Sequence, residues 1–328
     1  MLNVLFMGTP DFAKESLEAV YNSGYNILGV VTNVDKPKGR GMKLVQTPVK
    51  EFAIEKNLQV YQPEKIRKNE EFISIIKEMN PDIICVVAYG KILPKEILEI
   101  PKYGCINVHA SLLPKYRGAA PIQWAILNGD ETTGVTTMYM DEAMDTGDIL
   151  LTEETKIDEN ETTGELWNRL SKIGADLLVN TLKQIEEGSI ERKKQGEDFT
   201  MAPMLNKEMS KIDWENKTAK EIKNLVRGLN PIMGTYSTLE DKKYKFWKVD
   251  CITEEELFIQ FPELLDYKDR YYELFPGTIL FADEKIGLYI KTIDAVIKVL
   301  EIQGENARKM EISEFLRGNK LYAASVFE

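Results

Sequence analysis

Asn3-Val-Leu-Phe-Met-Gly8-Thr-Pro-Asp-Phe12 opens the chain with a short apolar run that stops at a glycine and a proline and gives way to an amphipathic segment. An apolar run without alternation marks a strand covered on both faces, because every side chain along it must find a buried neighbour. The same pattern recurs downstream. Ile27 to Thr32, Ile83 to Ala88 and Cys105 to His109 read as further buried strands, with Phe12 to Asn22, Pro48 to Lys56 and Phe72 to Met79 as helices between them. This alternation predicts an α/β fold, an open and mostly parallel Rossmann-like sheet with helices on both faces. Thr136 to Met140 and Ile149 to Thr152 read as two more strands flanking the acidic, turn-rich loop Asp141 to Asp148. A helix follows from about Thr163 to Glu187, on the helical spacing of Leu166, Leu170, Ile173, Leu177, Leu178 and Leu182.

A chain of 328 residues exceeds one typical domain. Composition turns polar after the long helix, with Arg192-Lys193-Lys194, Gly196 and Ala202-Pro203, so 189–206 reads as a linker between a first domain over 1–188 and a second over 207–328. The second shows one helical segment, Ala219 to Gly228, and then short strand-like runs near Tyr236 to Leu239, Tyr244 to Val249, Gly277 to Phe281, Gly287 to Lys291 and Val296 to Ile302. Many short strands punctuated by turns predict a smaller C-terminal β-barrel, OB-like in size. No apolar stretch approaches the ~18 residues that span a bilayer, and the N-terminus lacks a basic flank and a cleavage site, so a cytoplasmic protein without membrane contact is expected. Cys85, Cys105 and Cys251 lie singly, which fits neither a disulfide scaffold nor a zinc site, and no metal is expected. A net charge of -11 excludes indiscriminate nucleic-acid binding.

In open α/β sheets, ligands sit beyond the carboxyl ends of the strands. One such end carries the chain's single histidine. In Ile106-Asn107-Val108-His109 the alternation places Asn107 and His109 on one strand face, about 6.5 to 7 Å apart. A Pro/Gly-bounded loop follows, Ser111-Leu112-Leu113-Pro114-Lys115-Tyr116-Arg117-Gly118, and Asp145 lies in a turn able to return to the same sheet edge. An amide and an imidazole can both donate to the oxyanion of a tetrahedral intermediate, and a carboxylate can orient the imidazole or take a proton from an attacking amine. The trio suits acyl transfer without a covalent enzyme intermediate. A histidine satisfied in the core, with Asn107 as a strand-end cap, is the plainer alternative.

Asn107-Val-His109, Ser111-Leu-Leu-Pro114, Arg117-Gly118-Ala-Ala-Pro121-Ile-Gln123 and Asp145-Thr-Gly-Asp148 resemble the folate-dependent formyltransferases. So do Met7-Gly-Thr-Pro-Asp-Phe12, Asp35-Lys-Pro-Lys-Gly-Arg-Gly41, Ala88-Tyr-Gly-Lys-Ile-Leu-Pro94, Phe275-Pro-Gly-Thr278 and Phe315-Leu-Arg-Gly318, in order across nearly the whole chain. The resemblance implies formyl transfer from 10-formyltetrahydrofolate, as co-substrate, to an amine. Asn107, His109 and Asp145 are the implied catalytic trio: the first two polarise the formyl oxygen, and Asp145 orients or supports His109. Folate contacts are implied at Tyr89, Gly90, Ile92 and Leu93 and at Ser111, Leu112, Leu113 and Pro114, with plain core packing as the alternative for Leu112 and Leu113.

The acceptor divides the family. Lys36, Lys38, Arg40 and Lys43, set among Pro37, Gly39 and Gly41, form a basic loop suited to an RNA backbone, or else a solvated turn. Lys242-Lys-Tyr-Lys-Phe-Trp-Lys248 in the second domain reads either as an RNA-contacting face or as core with lysines outside. Together with the resemblance, these features imply methionyl initiator tRNA as acceptor, an amino sugar nucleotide as alternative, and no obligatory protein partner. One feature departs: residues 207–328 hold 19 Lys plus Arg against 22 Asp plus Glu, net -3, where an RNA-binding appendage is expected to be basic. Glu254-Glu255-Glu256 and Asp266 to Glu273 read as an acidic face turned from RNA. Asn230-Pro-Ile-Met-Gly234 also departs from the family's Pro- and Ala-rich version.

Overall fold

The computed structural model describes residues 1–38 and 43–328. In chain order it runs β1 (Asn3–Gly8), α1 (Asp11–Asn22), β2 (Asn26–Val31), a hairpin of β3 (Lys36–Lys38) and β4 (Lys43–Val45), α2 (Pro48–Glu55), β5 (Val60–Tyr61), α3 (Glu70–Met79), β6 (Ile83–Val87), α4 (Lys95–Leu98), β7 (Cys105–His109), α5 (Pro121–Leu127), β8 (Thr132–Tyr139), β9 (Ile149–Lys156) and α6 (Thr163–Glu187). Two units result: Met1–Ile122, Thr132–Lys156 and Leu166–Met204 in one, Gln123–Glu131, Ile157–Glu165 and Leu205–Glu328 in the other.

The first unit is built on a seven-stranded sheet ordered β5-β2-β1-β6-β7-β8-β9. Its first five strands are parallel and the last two antiparallel, the mostly parallel sheet that the unbroken apolar runs predict. Val4 to Met7 and all of β6 are buried, as strands covered on both faces must be. Local chemistry sets the helix starts: Thr47 caps α2 ahead of Pro48, and Asn69 caps α3, which ends on left-handed Asn80. The register pairs Gly8 with Val87 and Val87 with Val108, so the loops after β1, β6 and β7 leave the same sheet edge side by side.

The second unit contains α7 (Ala219–Gly228), β10 (Thr235–Leu239), β11 (Lys242–Ile252), α8 (Glu254–Gln260), α9 (Lys268–Glu273), β12 (Ile279–Asp283), β13 (Gly287–Lys291), β14 (Val296–Gln303), β15 (Met310–Glu311) and α10 (Ile312–Gly318). Its antiparallel sheet runs β10-β11-β14-β13-β12, with β15 beside β14. The C-terminal tail joins the two outer strands. Glu328 exchanges both backbone bonds with Thr238, while Phe327 donates to Gly277 and Ile279 to Ser325. These bonds link the two edges of the sheet, as closure of a small barrel requires. Acidic Glu254 to Glu256 form the first turn of α8, where carboxylates complement the helix dipole and Glu256 closes a capping box with Thr253.

Segment 189–206, predicted as a linker, lies against the first unit as far as Met204. Lys193 and Ile149 exchange backbone bonds, Arg117 donates to Thr200, and Ala202 donates to Arg117 and accepts from Ala120. Among the described residues no helix is long and apolar enough to cross a membrane, and no cluster of three or more His, Cys, Asp or Glu side chains is placed to hold a metal.

Candidate active site

His109 is the last residue of β7 and pairs with Thr136 of β8, which fixes its backbone from the antiparallel side while β6 supports β7 on the other. Its side chain is 6% exposed. Nε2 lies 2.9 Å from the carbonyl oxygen of Tyr116. A carbonyl only accepts, so this bond puts a proton on Nε2 and leaves Nδ1 as the edge of the ring toward Asp145. Nδ1 lies 3.6 Å from Asp145 Oδ2. That oxygen also accepts a 2.8 Å bond from the Gly118 amide. Asn107, half-buried and two residues earlier on the same strand face, makes no side-chain hydrogen bond among the described residues, and its amide donors are uncommitted. The structure thus brings His109 and Asp145 into contact, with Asn107 one strand step away.

Several of the supporting groups carry no signal in the sequence. Asp145 and Tyr116 hold positive φ of 56° and 62°, a conformation costly for non-glycine residues, so surrounding bonds must enforce it. The supposed linker supplies them. The Tyr116 amide donates to Thr200 Oγ1 at 2.9 Å. Gln195 accepts from Arg117 Nε and Nη2 at 3.0 and 2.7 Å and donates through Nε2 to the carbonyls of Asp145 and Gly147 at 2.9 and 2.8 Å. Phe199 covers the Arg117 guanidinium at 4.5 Å. None of these residues sits in a periodic pattern, and their polar composition reads as a solvated connection.

The loops expected to meet folate split into two sets. Tyr89 and Leu93 are buried in a core cluster with Met7, Val31 and Ile97; Leu113 packs on Met138 and Ile149; and Ser111 spends its hydroxyl on the Lys115 carbonyl at 2.6 Å. Any ligand contact from these four is through the backbone. Gly90 and Ile92 are exposed, and Leu112 and Pro114 are half-buried. Of the expected basic residues, Lys36 is exposed, Lys38 and Lys43 lie on paired strands β3 and β4, and Arg40 lies outside the described residues. The hairpin base is anchored by polar contacts. Asp35 pairs with Lys50 at 2.6 Å and accepts from Gln62 at 2.8 Å, and Asn33 reaches Thr9 Oγ1 and the Tyr89 carbonyl at 3.0 and 2.9 Å. The lysine and glutamine bonds hold the Asp35 carboxyl below its ordinary range.

In the second unit, β11 carries the basic and aromatic run on two faces. Phe246 packs edge-on against Phe327 at 5.5 Å and Tyr244 against Phe315 at 6.2 Å. On the other side Lys243 lies 3.3 Å from the Tyr236 ring centroid, and Lys245 and Lys309 flank Trp247 at 5.5 and 5.7 Å.

Residues 2–182 match the formyl transferase family, and residues 204–320 match the formyl transferase C-terminal domain. A methionyl-tRNA formyltransferase of Clostridioides difficile is 51% identical over 321 residues, covering 98% of each chain. One of Caldanaerobacter subterraneus subsp. tengcongensis is 45% identical over the full length of both. Among solved structures, an N-formyltransferase from Helicobacter canadensis in complex with folinic acid and dTDP-3-aminofucose has a TM-score of 0.62 at 20% identity, over 91% of this chain and 99% of its own. That distant likeness establishes the fold. Half identity along the entire length and the two domain matches establish more: this chain is a member of the formyl transferase family.

Proposed function

We infer that the chain transfers the formyl group of 10-formyltetrahydrofolate to the amino group of methionyl initiator tRNA, giving N-formylmethionyl-tRNA for translation initiation in the cytoplasm. The observation that carries the reading is the end of β7, where an uncommitted amide, a ring nitrogen and a carboxylate held by a backbone N–H converge on one sheet edge. The amine lone pair attacks the formyl carbon and the carbonyl electrons move onto oxygen, which Asn107 and His109 polarise. Asp145 supports charge on the ring and serves the proton leaving the amine. Collapse of the intermediate expels the folate nitrogen, which takes up a proton. Folate is held by backbone groups of Tyr89, Leu93, Ser111 and Leu113 together with Gly90, Ile92, Leu112 and Pro114, a largely apolar cover with fixed polar groups.

The acceptor follows from the relatives at 45–51% identity, which carry the tRNA-directed name, whereas the sugar-directed neighbour is 20% identical. We assign catalysis to residues 1–188, and tRNA contact to the basic hairpin and to the Lys243, Lys245, Trp247 and Lys309 face within 207–328. A formyl transfer assay with initiator methionyl-tRNA beside an amino sugar nucleotide tests both reaction and acceptor. His109→Ala is expected to cut transfer by at least roughly 10² to 10³, the usual loss for one oxyanion donor. Near-wild-type turnover in a folded variant refutes the catalytic role.

A further inference from the structure

We propose that Gln195 is a positioning residue for the transfer reaction, acting on the catalytic carboxylate through the backbone of the Asp145 turn. This rests on the functional reading above. The Gln195 amide is used at both ends: its oxygen takes two bonds from Arg117, and its nitrogen gives bonds to the Asp145 and Gly147 carbonyls. The turn needs such a hold. Asp145 sits at a φ of 56°, and the ideal Cβ on Gly147 falls 1.8 Å from the Tyr139 carbonyl oxygen, so the turn is pressed against β8 where no side chain fits. The Asp145 carboxylate then spans to the Gly118 amide and to His109.

At its other end Gln195 meets a cation that is 8% exposed and has no carboxylate partner among the described residues. That cation is the Arg117 guanidinium, which has five donors and no acceptor. Its compensation is the Gln195 oxygen and the Phe199 ring, at 4.5 Å. Gly118, the residue after Arg117, gives the amide that holds Asp145. Gln195 therefore ties the donor loop and the acceptor turn to each other, and it fixes the distance over which His109 and Asp145 act.

The two ends can be cut separately. Gln195→Glu keeps the acceptor for Arg117, and strengthens it by charge, while setting a carboxylate against the Asp145 and Gly147 carbonyls. Gln195→Met removes both ends with little change of shape. Positioning predicts that both variants lower kcat by about 10- to 100-fold, with KM for folate and tRNA within about threefold, because the binding surfaces stay in place. It further predicts that Gln195→Glu unfolds no earlier than the wild type. In an Asp145→Asn background the same substitution is expected to cost less than about threefold, since residues acting through one another are not additive. A purely architectural role predicts the reverse, with Gln195→Glu keeping wild-type kcat. That result overturns the proposal, as does failure of both variants to fold. A wild-type protein inactive on charged initiator tRNA instead overturns the reaction assigned above, and is read before any variant.

Discussion

Gly118→Ala tests how the Asp145 carboxylate, assigned above to catalysis, is held. Gly118 has a φ of 130°, and a Cβ there would sit 2.6 Å from the Ala202 carbonyl oxygen and 3.0 Å from its carbon. Both neighbours are backbone, in a ladder that includes Arg117 N to Thr200 O at 2.9 Å, Ala202 N to Arg117 O at 2.7 Å and Ala120 N to Ala202 O at 3.1 Å. Reaching ordinary contact at 3.4 Å from 2.6 Å requires an opening of about 0.8 Å. Strain at this φ costs roughly 1–3 kcal/mol, and weakening one or two ladder bonds adds about 1 kcal/mol, for a total of about 2–4 kcal/mol.

The same movement pulls the Gly118 amide off Asp145 Oδ2, now 2.8 Å away. A misplacement near 1 Å at a reacting group costs on the order of 10²-fold in rate. Calorimetry is expected to show the midpoint falling by roughly 5–10 °C. Steady-state formyl transfer, measured well below the new midpoint, is expected to show kcat reduced by about 10² with KM little changed. A variant with kcat within about twofold of wild type refutes the claim that this amide positions Asp145, whatever happens to stability.

Two further outcomes follow from buried polar groups. Among the described residues the buried Tyr89 hydroxyl has no hydrogen-bond partner, and burial pushes its pKa up to about 12. Tyr89→Phe removes an orphaned group and is expected to raise stability by about 1 kcal/mol with transfer unchanged; a loss of stability in denaturant titration refutes the orphan assignment. Lys223 Nζ, with its side chain 8% exposed, lies 2.8 Å from Asp250 and 3.2 Å from Glu159. Burial alone pushes the Asp250 carboxyl up, yet the bond from Lys223 holds it below its ordinary value. A depressed folded-state pKa gives stability that is present above the unfolded value and lost as pH falls through the folded one. Asp250→Ala should therefore cost about 1–2 kcal/mol near neutrality, an amount discounted because Asp250 is half exposed, and the difference from wild type should vanish in strong acid. A difference independent of pH sinks this account.

What was legible in the sequence is what local pattern encodes. Unbroken apolar runs gave away the parallel strands because burial on both faces leaves no room for alternation, and the 163–187 helix matched its leucine spacing to the residue. Asn107 and His109 could be placed together because two residues on one strand are neighbours whatever the rest of the chain does. The hairpin at Lys36–Lys38 and Lys43–Val45 escaped notice because three-residue strands, one containing Pro37, are too short to show a period. The burial of Tyr89 and Leu93 also escaped, since a loop motif does not tell which way its side chains turn.

Segment 189–206 shows the deeper reason. Polar residues and a glycine say that a stretch avoids the core, and of residues 189–206 only Ala202 is fully buried while Gln195 is half-buried. Composition says nothing of pairing. Gln195 bonds to residues 78, 50 and 48 positions away, and Tyr116 to a hydroxyl 84 positions on. Such bonds satisfy backbone groups that would otherwise be left without partners, so a connection of this composition can be as ordered as a strand. The consequence bears on the site. Of the contacts that fix Asp145, one comes from the loop after β7 and another from the chain after α6, and neither from its own turn. Variation in that late segment should therefore act on kcat before it acts on folding, the opposite of what a linker would do.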